Sequence, residues 1–507
     1  MKPVGYIALI ETYGLDVLVP ALVSHIHEKS QRRSIQVEGR QEEYYPGRYD
    51  PGSTWQDQLL FALKHEGVNL EILAALFRTL SDKDLIELVR SAPTGRYVRQ
   101  AWFLFEWLFD RHLGIPDLDQ GNYVHILDPE RYFAPGEGQG ARRVRRQRVI
   151  DNLPGTREWC PLVRKTDSLL RHIGNGYSRM MGAKLASYSP EVQARASQYL
   201  YLKETKSSWE LEHLTADSRR SARFMELLRT AGSLDLRSES ALVRIQNAIV
   251  DERFAATGFR KSQNYVGQSL ASGREHIHFV PPRPDDLPSL MGGWAQAWER
   301  MEYSGLDPVI VAAVAGFGFV FLHPFDDGNG RLHRFIIHHA LAIGGFTPQG
   351  FVFPVSATML AKLHDYDACL ESYSREIGLH VEYRLDAHGG MEVLNDTLPW
   401  YRYPDLTVQA EALFCFIRDT IDGAMAEELD YLAAYDKART GMRAVVDLPD
   451  RSLDLFIRLC LQNKGRLSAS KRSLFEELDD DEIQRLEQAL AESDDRAYGQ
   501  AGNVPNN

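Results

Sequence analysis

Cysteine is scarce in this chain: four among 507 residues, at Cys160, Cys369, Cys415 and Cys460, widely spaced and with no CxxC pair. That usage suits a reducing compartment and offers neither a disulfide framework nor a thiolate metal cluster. The N-terminus has no long apolar run. Its stretch VGYIALI is soon interrupted by Glu11 and Asp16, too early for a secretion signal or a membrane span. A cytoplasmic protein is the expectation. Positive charge is in deficit, with a formal net charge of −12, which argues against nucleic acid as the main partner. The basic cluster ARRVRRQR at 141–148 reads as a solvated helix face. There is no internal repeat or low-complexity tract. No GxxxxGK[ST] or HExxH segment, and no GxSxG beside a convincing strand, supplies a rival site.

The chain is long and moderately apolar. Its 507 residues, 44% of them hydrophobic, can hold two or three domains with substantial cores. Residues 1–195 read as a largely helical domain without identifiable chemistry, with WQDQLLFALK and LEILAALFRTL showing helical apolar spacing. Gly/Pro-rich breaks fall at 44–53 and 133–140. A core follows at 196–385, then a glycine-rich, polar boundary at 385–395. A C-terminal helical domain spans 396–507, with helices over 406–437 and 452–493. LSASKRSLFEEL, in the latter, reads as a packing or interaction element. Within the core, Asn264–Gly267 and His276–Val280 are β-favouring stretches joined by a Gly/Ser-rich turn, the pattern of a small hairpin. The fold expectation is mainly α, with one small β-hairpin and flanking N- and C-terminal helical domains.

The densest chemistry lies in twelve consecutive residues, HPFDDGNGRLHR, from His323 to Arg334. Apolar stretches at 307–322 and 335–343 flank them. Asp307 and Pro308 pair as N-cap and first helical residue, and Gly344-Gly345 suits a helix stop. The loop is therefore expected between two buried helices, capping the second. Gly328 and Gly330 allow main-chain N–H groups of 328–331 to converge as an anion nest at a helix N-terminus. Arg331 and Arg334 share a helix face and can both reach phosphate oxygens. Asp327 is a hard oxygen ligand suited to Mg²⁺, and His323 can accept a proton from an attacking hydroxyl. Phe325 reads as an inward anchor. His333, His338 and His339 read as packing or solvent-facing, and Tyr366 and Tyr373 as core. A calcium loop fails on ligand spacing and on the missing terminal glutamate.

The loop resembles the Fic family motif HxFx[DE]GNGRxxR at every specified position. The resemblance covers roughly 200–380 and implies a Fic-type helical core and transfer of AMP from ATP to a Tyr, Thr or Ser hydroxyl of a protein. It implies His323 as base, Asp327 as the Mg²⁺ ligand, and Phe325 packing beneath the loop. Gly328, Asn329 and Gly330 would form an anion hole, with Arg331 and Arg334 on phosphates and ATP as co-substrate. Upstream, Ser208 and Glu212 fit five positions of the family's inhibitory pattern [ST]xxxE[GN], while His213 departs from the sixth. Glu212 is the expected brake, with Glu210 its nearby competitor. The hairpin near 264–280 would be the family's flap, on which an extended target segment docks by strand addition. Self-modification and a homodimer are open to such a protein. So are two other activities on the same site: AMP removal, and use of another nucleotide donor. A non-catalytic interaction protein is the reading from another class, and the presence of His323 and Arg334 speaks against it.

Overall fold

The structure, a computed structural model, describes residues 1–37, 40–215, 217–269 and 275–493. It is mainly α, with small sheets, as expected. Among the described residues no helix is long and apolar enough to cross a membrane. The chain divides into two units, each assembled from separate stretches: 1–175, 208–347 and 362–415 in the first, and 176–207, 348–361 and 416–507 in the second.

The first unit opens with a four-stranded sheet that the helical reading of 1–195 did not anticipate. Its strands lie in the order Lys2–Val4, Leu22–His27, Arg40–Pro46 and Arg33–Val37, the middle pair parallel with Leu22 opposite Gln41. Val4, Ile26, Tyr45 and Phe61 pack as a small core beneath it. The two quoted helical stretches do form helices, Trp55–His65 and Leu70–Thr79. Thr54 caps the first and Asn69 the second, each side chain accepting a main-chain N–H.

The basic run at 141–148 is not a helix face. Arg142–Val144 and Val149–Asp151 are antiparallel strands, and Arg146 turns into a buried polar network between them and the preceding helix. Arg146 pairs with Glu106 at 2.9 Å and Asp117 at 2.7 Å, and donates to the carbonyls of Leu113 and Ile115. The charge of Arg146 is consumed internally, while Arg142, Arg143 and Arg145 stay exposed. Residues 385–395 also gain structure, as Tyr383–Leu385 pairs with Met391–Val393.

Two helices frame the site. The lead helix Pro308–Leu322 starts where the sequence indicates, with Asp307 accepting the Val309 N–H at 2.9 Å. The trailing helix Asn329–Ile343 stops at Gly344, and Gly345 takes a left-handed φ of 66°. The pair is nearly all buried, and glycine sets how closely the lead helix meets its neighbours. A Cβ on Gly316 would stand 2.6 Å from Ile337 Cγ1, and one on Gly318 would stand 2.7 Å from Trp159 Cη2.

The second unit is helical, with Ala426–Val445, Asp450–Gln462 and Asp480–Ala491 around Met442, Leu453, Phe456, Cys460 and Leu486. The helix expected over 452–493 is broken by 3₁₀ residues Ala469–Phe475, which fall within LSASKRSLFEEL. Phe475 and Leu478 of that segment join the core, a packing role.

Candidate active site

His323 caps the C-terminal end of the lead helix in a left-handed conformation (φ 49°, ψ 56°). Its N–H donates to Phe319 O at 2.9 Å, and Nδ1 lies 3.3 Å from Val320 O. The Nδ1–H tautomer satisfies that contact and leaves Nε2 with its lone pair. The residue keeps some accessible surface. Burial first, then the nearby charge of Arg260, push its imidazole from 6.5 down to about 4. At neutral pH it is an uncharged acceptor.

The loop between His323 and the trailing helix is stapled by its own side chains. Phe325 is fully buried against Phe259 and Phe319. Asn329 spans the turn: its Oδ1 accepts the Phe325 N–H at 3.0 Å, and its Nδ2 donates to Phe325 O at 2.7 Å. The Asn329 side chain is thereby committed to the loop, so only its main chain can serve an anion. Gly328 takes φ 87° as N-cap of the trailing helix, and a Cβ there would stand 2.7 Å from Val250 Cγ1. Asp327 Oδ1 accepts the Gly328 N–H at 2.6 Å and pairs with Arg331 Nη2 at 3.0 Å.

Both arginines are buried and converge on one carboxylate. Glu212 Oε2 lies 2.7 Å from Arg331 Nε, and Oε1 lies 2.8 Å from Arg334 Nη2. A Cβ on Gly330 would stand 2.6 Å from Glu212 Oε1, so the carboxylate rests directly over the nest. Ser208 adds two contacts to Arg334, accepting from Nε at its hydroxyl (2.7 Å) and from Nη2 at its carbonyl (2.6 Å). Glu212 reaches this place because helix Pro190–Glu210 ends just before it and His213 turns left-handed at φ 55°. Glu210 is exposed. Of the two acidic candidates, the fold brings Glu212 to the arginines.

Residues without an assigned role in the sequence complete the site. Trp209 lies under Arg331, its ring 5.4 Å from the guanidinium carbon, and is itself braced by Phe224. Gln246 Nε2 donates to Asp327 O at 3.1 Å, and Ile249 O accepts from Arg331 Nη1 at 2.9 Å. Tyr366, read as core, is buried but also hydrogen-bonds Arg334 through its hydroxyl. Its neighbour Tyr373 is core, as read, packed on Phe321. His333, His338 and His339 are buried among packed side chains. The hairpin forms with strands Val266–Ser269 and Glu275–Phe279, the first two residues later than expected; part of its turn, 270–274, lies outside the described residues. The strand starts late because Asn264 is held by the loop, its Nδ2 donating to Phe325 O at 3.1 Å.

Residues 236–341 match the model of the Fic/DOC family. Over 91 residues the chain is 41% identical to "Protein adenylyltransferase Fic" of Drosophila willistoni and 40% identical to that of Drosophila yakuba. The match covers 18% of this chain and spans only 16% of the length of those curated relatives. Among solved structures, a Fic family protein from Desulfovibrio desulfuricans G20 is 16% identical, covering 64% of this chain and 84% of that one, with a TM-score of 0.38. A Fic domain containing signaling protein from Bacteroides thetaiotaomicron VPI-5482 is 20% identical, covering 49% and 97%, with a TM-score of 0.34. The matched segment, residues 236–341, spans the lead helix, the loop that follows it and most of the trailing helix, so the likeness to the Fic/DOC family falls on the site itself.

Proposed function

We propose that this chain is a protein adenylyltransferase that moves AMP from Mg-ATP to a hydroxyl side chain of a protein, held in check by its own Glu212. The observation that carries the reading is the anion already in the site. A carboxylate gripped by two buried arginines above a glycine nest occupies the kind of place that phosphate oxygens require. Its occupant is the brake in this reading. ATP phosphates and Glu212 compete for Arg331 and Arg334, and Ser208 holds Arg334 on the inhibitory side.

The chemistry follows from the groups present. The target hydroxyl oxygen bonds to the α-phosphorus, its proton passes to His323 Nε2, and the bond from α-phosphorus to the bridging oxygen breaks to release pyrophosphate. Asp327 would hold Mg²⁺ together with the phosphates: its Oδ2 makes no hydrogen bond among the described residues, and the side chain is partly exposed. Bound there, the cation would neutralise phosphate charge. The main-chain N–H groups of Asn329 and Gly330 would donate to phosphate oxygens. Gly328, its own N–H held by Asp327 Oδ1, would shape the nest through its left-handed turn, and Phe325 supports the loop from below. A target segment would dock by pairing with an open edge of the two-stranded hairpin.

The test is labelling with α-labelled ATP and Mg²⁺, with and without cell lysate. Wild type, Glu212→Gly and Glu212→Gly/His323→Ala are compared. Label on protein with Glu212→Gly alone is the expected result. Equal labelling by the double variant would remove His323 as base. No label in any lane would turn the reading to other donors or to AMP removal.

A further inference from the structure

Arg260 is buried, and among the described residues it forms no ion pair. A guanidinium in that setting is costly unless every donor is used. Here its donors go to main-chain carbonyls. Nε donates to His323 O at 2.9 Å, Nη1 to Ser262 O at 3.0 Å, and Nη2 to Pro282 O. The Arg260 N–H adds a fourth tie, to Pro324 O at 2.8 Å. Ser262 lies just before the first hairpin strand, and Pro282 lies just after the second. One side chain thus joins both legs of the hairpin to the turn that carries His323. Gln263 Nε2 ties the legs to each other through Pro281 O at 3.0 Å.

We propose that Arg260 is a positioning residue of the transfer reaction. It fixes the left-handed His323 turn and both hairpin legs in one frame, so that a hydroxyl carried on the hairpin arrives at the imidazole. The inference rests on the adenylyl-transfer reading. It assigns Arg260 two physical duties. Mechanically, its side chain satisfies three main-chain carbonyls that would otherwise need water at the base of the hairpin. Electrostatically, its charge disfavours imidazolium at His323. Arg260 is the charged neighbour acting on His323, and Arg260 in turn faces Asp326 and Tyr401. Lysine could keep the charge but not the planar fork of donors.

The experiment uses the full chain carrying Glu212→Gly, with Arg260, Arg260→Lys or Arg260→Gln. His323 is titrated by NMR on histidine-labelled protein, with His323→Ala identifying its signal, and hairpin amides 266–269 and 275–279 are followed by hydrogen exchange. With Arg260→Gln the His323 titration is expected to rise by about one pH unit or more, because a nearby charge is lost. Exchange across the hairpin is expected to quicken about tenfold, and that of Arg260→Lys to quicken while its titration stays low. Unchanged titration and unchanged exchange in folded Arg260→Gln would overturn the proposal. If Arg260→Gln fails to fold, unchanged exchange in Arg260→Lys would do so. Labelling from α-labelled ATP is run alongside, and about tenfold less label on Arg260→Gln than on its parent is expected. A parent without label would count against adenylyl transfer itself and leave both physical readings standing.

Discussion

His213 stands where the inhibitory pattern has Gly or Asn, and its φ of 55° gives the reason. The chain must reverse immediately after Glu212 so that the carboxylate points back at the arginines, and that reversal is left-handed. A histidine there carries a strain of about 1 kcal/mol. His213→Gly is therefore expected to raise the melting temperature of the protein and to lower labelling by the otherwise wild-type chain; a lower melting temperature would show that the position is not strained. Tyr366→Phe acts in the opposite direction. It removes one hydrogen bond from Arg334, worth about 1 kcal/mol, and is expected to raise labelling by the otherwise wild-type chain. The contrast shows what a sequence can reveal. His323 to Arg334 were legible because twelve consecutive residues carry them. Arg260 comes from a distant stretch, Trp209 stands at an unspecified position between Ser208 and Glu212, and Tyr366 reads as core. Each meets the loop only through packing, so its part in the site is not marked by local spacing.

The lead and trailing helices depend on small residues at their crossing. Gly316→Ala would force a methyl against Ile337 Cγ1 at 2.6 Å, with His333 Nδ1 also close. The expected cost is about 1–3 kcal/mol, with loss of labelling activity as His323 shifts, checked by thermal melting and by the ATP assay on one preparation. Asp307→Ala, which removes only the cap, is expected to cost about 1 kcal/mol and leave the loop geometry intact. The cap and the glycine stop were readable because their chemistry is local. The N-terminal sheet was not. In Leu22–His27 the buried positions include Ser24, and two histidines occupy the alternate face, so the period-two apolar signal is blurred. Around 141–151 the strands are only three residues long, and Arg146 in the turn between them is spent on Glu106, Asp117 and nearby carbonyls, which composition cannot show.

The molecule as a whole buries histidines that resist protonation. His323, His333 and His339 are pushed from 6.5 to about 4, 3 and 4, in each case chiefly by burial. Unfolded, each takes up its proton near pH 6.5, so below that pH the unfolded chain binds more protons than the folded one. Stability is expected to fall as pH drops from 6.5 towards 4, and urea melts across that range should show it. Glu71 has the opposite sign. Burial raises it from 4.5 to about 8, so between those values the folded chain binds the extra proton and stability is lost as pH rises through the folded value, and Glu71→Gln should remove that part of the loss. The Glu212 carboxylate, finally, belongs to the same polypeptide as the arginines that hold it. Its local concentration is therefore set by chain connectivity and does not change on dilution. Any phosphate seeking that place meets a tethered rival, so occupancy of the nest should depend on how much nucleotide is present and hardly at all on how much protein.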